Sequence, residues 1–316
     1  MPQIKAPDDI LISALNLVEE FGSAHLAVKA NATDIPSSTL QSRAILAKNR
    51  GLKPTFKKEA PRLYTRERLG KMHLVIPDVQ AKAGVCTDQM TWVGNYIVEK
   101  QPDVVVMIGD FFDMESLSSY DRAKLSFEGR RYTKDIISGR AAMEKLLKPI
   151  DEYNRTARVK YTPRKVFCLG NHEIRIVRMA DNHPELEGKL ELADMGLKEY
   201  GWEVHDFLKV VKIDGVEYSH FFTSGVKGLP VSSAAVLLRE RQCSATMGHV
   251  QHFDMAVHKK TQQIAMFSST CYLHDESYLG HQGNSQRRQI VVKHEVANGI
   301  YDPMLVSLNF LKKAYS

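Results

Sequence analysis

From residue 72 the chain repeats one pattern: a short apolar run that stops on a polar residue. "HLVIPD" stops at Asp78, "VVVMIGDFFD" at Asp110 and Asp113, and "KVFCLGNHE" at Asn171, His172 and Glu173. Further on, "EYSH" brings His220, and "ATMGHVQH" brings His249, Gln251 and His252. Runs this short, rich in Val, Ile and Phe, read as buried strands. Amphipathic stretches separate them: "TDQMTWVGNYIVEK", then a longer helical region at about 134–153. That alternation predicts an α/β fold. After residue 200 strands dominate, and "IDGVEYS" predicts a hairpin around Asp214 and Gly215. Ligands of α/β sheets gather beyond the carboxyl ends of the strands, where these polar residues fall.

Asp, Asn and His arriving together at such an edge describe a metal site. One Asp after a strand is usually a helix cap or a turn residue; five such endings in one chain are not. In order, "DVQ" (78–80), "GDFFD" (109–113), "GNHE" (170–173), "SH" (219–220) and "GHVQ" (248–251) resemble the motifs of the calcineurin-like metallophosphoesterases. Those motifs are D-x-H, G-D-x-x-D, G-N-H-(D/E), a separate His, and G-H-x-H. The resemblance spans roughly residues 72–275. It implies a sandwich of two mixed sheets flanked by helices, with two divalent metal ions at the strand ends.

Position by position, the resemblance implies that Asp110 bridges both metals. Asn171, His220 and His249 would complete the second metal, and Asp78 would belong to the first. His172 would stand outside the metal shell beside the scissile phosphate, held in orientation by Asp113. The chain departs from the family pattern at Gln80 and Gln251, where both first-metal histidines are replaced. An all-oxygen site of Asp78, Gln80, Asp110 and Gln251 favours Mn²⁺, or Mg²⁺, over Zn²⁺ or Fe. If "GHVQH" is extended, His249 and Gln251 share a face; a bulge would deliver His252 instead. Arg175 and Lys227 are candidates for holding a substrate phosphate, or else ordinary surface charges.

Residues 1–50 predict a small helical module. Ser23 can cap a short helix, Pro36 stands at a plausible first position of another, and Gly51 stops it. Two helices across a tight break resemble a helix-turn-helix, whose second helix would present Ser38, Thr39, Gln41, Ser42 and Arg43 to DNA. The net charge is +6, and residues 1–71 hold 12 Lys/Arg against 7 Asp/Glu. A basic segment of this kind suits a polyanion. The expected domains are therefore the module at 1–50, a basic linker at 51–71 and a phosphoesterase domain at 72–316. A helix-turn-helix joined to a phosphoesterase resembles proteins of phages and prophages.

Four scattered cysteines, no signal peptide and no apolar run of membrane length lead to the expectation of a cytoplasmic protein that binds no membrane. The expected function is a metal-dependent phosphodiesterase or nuclease acting on DNA. Alternatives are a phosphomonoesterase or small-nucleotide phosphodiesterase, and a non-catalytic DNA-binding scaffold.

Overall fold

The computed structural model describes residues 6–21, 23–55, 70–120, 122–276, 280 and 284–316. The chain divides into two units, Met1–Glu67 and Arg68–Ser316. Much of the expected linker, residues 56–69, lies outside the described residues.

The smaller unit holds α1 (Asp8–Phe21), α2 (Ala24–Lys29) and α3 (Ser37–Asn49). Ser23 Oγ caps α2 by accepting from the Leu26 amide at 3.2 Å. Leu11 and Leu15 of α1 pack on Ala44 and Ala47 of α3, and Leu40 packs with Ala14, Ala24 and Ala27. Small residues at these contacts let short helices approach closely. Ser38, Thr39, Gln41 and Ser42 are exposed and Arg43 is half-buried, because Leu40, Ala44 and Ala47 turn the opposite face inward.

The larger unit is built on two mixed sheets. Its elements are β1 (Lys71–Ile76), α4 (Gln89–Lys100), β2 (Val104–Met107), α5 (Tyr132–Thr156), β3 (Arg164–Cys168), α6 (Arg175–Asn182) and β4 (Glu203–His205). There follow β5 (Val211–Ile213), β6 (Val216–Tyr218), the hairpin β7 (Thr223–Ser224) and β8 (Leu229–Pro230), and α7 (Ala234–Arg241). The chain closes with β9 (Ser244–Met247), β10 (Phe253–Val257), β11 (Ile264–Ser268), β12 (Gln289–Ala297), β13 (Ile300–Ser307) and α8 (Leu308–Tyr315). One sheet has six strands in the order β13-β12-β1-β2-β3-β4, and the other five in the order β10-β11-β9-β6-β5. β1 to β4 run parallel, while β12 pairs antiparallel with β1.

Side-chain alternation sets the layers. Leu74, Ile76, Val105, Met107 and Phe167 face α4 and α5. Their neighbours Val75, Val104, Val106 and Val166 face the second sheet, against Val216, Tyr218 and Met266. Ala245, Met247 and Phe267 then face α7. Strands buried on both faces read as continuous apolar runs, which is why their polar endings stand out.

Asp214 and Gly215 turn β5 into β6, as the hairpin signal predicts. The stretch 203–213 holds two strands, β4 and β5, in different sheets. A turn closed by the Lys209 amide on Asp206 O at 3.0 Å, with Leu208 at φ 64°, carries the chain across. Lys71, placed in the linker by its sequence, is already in β1. Between the sheets His73 is fully buried, with Nδ1 2.8 Å from the Tyr218 hydroxyl and Nε2 3.0 Å from Asp214 Oδ2. No helix among the described residues is long and apolar enough to cross a membrane.

Candidate metal centre

The polar strand endings converge. Asp110, just beyond β2, His220, just beyond β6, and His249, just beyond β9, bring one ligand atom each within 4.8 Å of one another. Asn171 Oδ1 lies 2.9 Å from His220 Nε2 and 2.8 Å from His249 Nδ1. His220 Nε2 is also 3.3 Å from Asp110 Oδ2. The other nitrogen of that ring, Nδ1, donates to Ile108 O at 2.9 Å. That bond fixes the ring so that Nε2 faces the cluster, an arrangement common among metal-bound histidines.

Asp78 lies against the same cluster. Its Oδ1 accepts the His249 amide at 3.2 Å, and its fully buried Oδ2 has no hydrogen-bond partner among the described residues. The Gln80 side chain is buried too, and its unpartnered atom is the amide nitrogen, a donor, so only its carbonyl oxygen could serve a cation. A buried carboxylate oxygen left open beside such a cluster, as at Asp78, is what a cation site requires. Asp110, His220 and His249 therefore fit a divalent ion, with Asn171 Oδ1 against both histidines.

The backbone is bent to make this possible. Gln80, Asp110, His249 and Gln251 all have positive φ, from 46° to 67°, a rare and costly state for such residues. Gln80 and Gln251 are thus aimed by turns. The strand alternation expected of "GHVQH" does not apply there. Two glycines give room: a Cβ on Gly170 would come within 2.1 Å of Asp110 Oδ1, and one on Gly248 within 2.4 Å of Asp78 Oδ1. Gln251 Oε1 accepts from the Tyr272 hydroxyl at 3.3 Å. His252 is exposed, with Nδ1 against Val250 O at 3.0 Å and its ring edge-on to Phe267, and no described contact brings it to the cluster.

His172 sits beside the cluster. Nδ1 is 3.0 Å from Asp113 Oδ1 and Nε2 is 3.7 Å from Asp110 Oδ2. Burial works against its charged form, but Asp110 and Asp113 outweigh burial and raise its pKa. Burial raises Asp78 to about 7. Burial also opposes the charge on His220, yet Asp110 and Asp78 lift it to about 9, while burial and His220 lower His249 to about 4.

Arg175 does not reach outward: Nη1 donates to Asp113 O at 2.7 Å, because α6 directs it back toward the Asp113 loop. Lys227 is exposed in the turn between β7 and β8, and no described contact brings it to the cluster. Glu173 is a residue whose role the sequence left open. Its carboxylate accepts four amides, from Asp110 (3.0 Å), Phe111 (2.7 Å), Phe112 (3.0 Å) and Gly170 (2.8 Å). The "GNHE" spacing was the available signal, since it places Glu173 two residues past Asn171.

No family model and no curated protein matches the chain. Among solved structures, a conserved uncharacterized protein described as a predicted phosphoesterase, from Streptococcus pneumoniae, is similar at 10% identity. The match covers 74% of this chain and 97% of that one, with a TM-score of 0.30. YfcE, a phosphoesterase from E. coli, is similar at 9% identity over 75% of this chain and 100% of its own, TM-score 0.32. Vps29 from Entamoeba histolytica, complexed with Zn²⁺, is similar at 10% identity over 75% of this chain and 99% of its own, TM-score 0.33. Likeness at this level carries no functional argument, which rests on the side chains.

Proposed function

We propose that the chain is a metal-dependent phosphoesterase that cleaves phosphodiesters, with DNA as its substrate. The observation that carries this reading is the Asp110–His220–His249 cluster with His172 fixed beside it by Asp113. Asn171, His220, His249 and Asp110 would hold one cation; Asp78, Gln80, Gln251 and Asp110 would hold the other, with Mn²⁺ preferred at the all-oxygen set. Bound divalent ions supply charge neutralisation at the phosphoryl oxygens and an activated water.

The protein's own groups then do the rest. Asp113 Oδ1 lies 3.0 Å from His172 Nδ1, within ion-pair reach, and Nε2 turns toward the cluster, where it would face the substrate. From there it orients the phosphate or gives a proton to the departing oxygen. Asn171 and His249 restrain each other, and Glu173 holds the Asp110 loop. The choice of DNA rests on the basic first unit and the exposed Ser38, Thr39, Gln41 and Ser42 face of α3.

The test is turnover of a bis-aryl phosphodiester, single-stranded DNA and duplex DNA with Mn²⁺. Hydrolysis is expected, and Asp110→Asn should reduce it to background while preserving the fold. Near-normal turnover in that variant would sink the reading.

A further inference from the structure

Behind His172 and Asp113 the line of charged side chains continues to Lys82 and Glu276, which the proposed chemistry does not use. Asp113 is gripped on both oxygens. Oδ1 lies 3.0 Å from His172 Nδ1 and 3.6 Å from Arg175 Nη1, and Oδ2 lies 3.0 Å from Lys82 Nζ. Lys82 is itself held, because Nζ donates to Glu276 Oε1 at 2.8 Å and to Oε2 at 3.0 Å. Glu276 Oε1 lies 2.7 Å from His274 Nε2, and the His274 ring stacks on Tyr272 with centroids 4.7 Å apart. The Glu276 backbone is fixed in turn: its amide donates to Asn284 Oδ1 at 2.8 Å, and its carbonyl accepts from Asn284 Nδ2 at 3.0 Å. Lys82, Asp113 and Glu276 side chains are 15%, 9% and 7% exposed.

We propose that Lys82 and Glu276 are positioning residues for His172, acting through Asp113; this rests on the phosphoesterase reading. A carboxylate held on one oxygen can swing about its Cβ–Cγ bond. Asp113 cannot, because Lys82 occupies the oxygen that His172 does not. Lys82 alone is a flexible stem, and Glu276 fixes its end with a two-oxygen grip. Charges alternate along the line His172, Asp113, Lys82, Glu276, so each group holds the next in place. The orientation of the histidine is therefore set by the segment around residues 272–276 as well as by the loop that carries Asp113. The competing role is a staple, in which Lys82 and Glu276 only tie that segment to the turn after Gln80. A staple predicts no change in the His172 ring and no dependence on the leaving group.

The test uses the full chain with Glu276→Gln, Lys82→Met and Lys82→Arg. In metal-free protein, long-range ¹H–¹⁵N NMR of the His172 ring reports its tautomer and the bond to Asp113. The ring signals should shift in Glu276→Gln and Lys82→Met and return toward the native position in Lys82→Arg. With Mn²⁺, kcat on a diester with a poor leaving group should fall roughly tenfold or more, part of the about 10²–10⁴ that acid catalysis contributes. The loss on a good leaving group should be smaller, with KM and metal content within about twofold in either case. Adding Glu276→Gln to His172→Ala should cause no further loss, since coupled residues do not add. If the native protein hydrolyses nothing, the phosphoesterase reading fails, while the ring signals still decide the positioning role. Glu276→Gln keeps its shape and carries the test if Lys82→Met does not fold. Unchanged His172 signals in Glu276→Gln, or equal losses on good and poor leaving groups, would overturn the proposal.

Discussion

His73 is buried and His172 half-buried; each imidazole lies beside an aspartate, yet their surroundings push them in opposite directions. His172 has two carboxylates close by, and its pKa rises. His73 lies between the sheets, where burial lowers it to about 4; Asp214 opposes that shift, while Lys293 and Lys71 add to it. An unfolded histidine holds its proton up to about pH 6.5. The unfolded chain therefore binds more protons than the folded one between those two values. Stability should be lost as pH falls from 6.5 toward 4, with no further loss from this group below. The full span is worth about 3 kcal/mol. Urea unfolding of the metal-free protein between pH 7 and 4.5 checks this: the native curve should drop more steeply than that of His73→Gln. Parallel curves would reject the assignment.

At the scale of elements, the site depends on loops held in conformations they would not adopt alone. The loop after β2 puts Asp110 at φ 50°, and the Glu173 carboxylate collects the amides of Asp110, Phe111 and Phe112 to hold it there. Glu173→Gln replaces one acceptor oxygen by a donor and leaves buried amides facing it. The expected cost is about 3 kcal/mol of stability, with weaker Mn²⁺ binding by calorimetry; unaltered affinity would mean the loop keeps its shape without the carboxylate. The strands and their polar endings were legible because alternation and short apolar runs follow from the pleat. The Asp110, Asn171, His220 and His249 endings were legible for the same reason. The aim of Gln80 and Gln251 was not, because it depends on left-handed backbone that neither residue type announces. The Lys82–Glu276 pair was hidden too: its partners are 194 residues apart, and no local period links them.

On the scale of the whole molecule, the candidate centre is assembled from both sheets. Asp78, Asp110 and Asn171 follow strands of the six-stranded sheet, and His220 and His249 follow strands of the five-stranded one. A cation held there ties the sheets together. Mn²⁺ at a hundred times its Kd should add about 2.7 kcal/mol, raising Tm by roughly 5–10 °C in a unit of this size. A chelator should reverse the gain, and a Tm indifferent to both would argue against a resident ion. Removing residues 1–67 is a second test at this scale. It spares β1, which begins at Lys71, and takes away 10 of the 43 Lys/Arg. Turnover of a small diester should persist and DNA affinity should fall. The salt dependence should flatten by about 0.9 in log–log slope for each phosphate that the shortened protein no longer neutralises. Unchanged affinity would assign the first unit a different role. The central place of β1 also bears on how the molecule is made. It is an inner strand, paired on one side with β2 and on the other with β12, where Lys71 meets Val296. β1 ends at Ile76 and β12 begins at Gln289, so β1 leaves the ribosome long before that partner is made. Until then its apolar edge stays open, so the nascent chain is a natural client for chaperones, and translation cut short before residue 289 should yield aggregates.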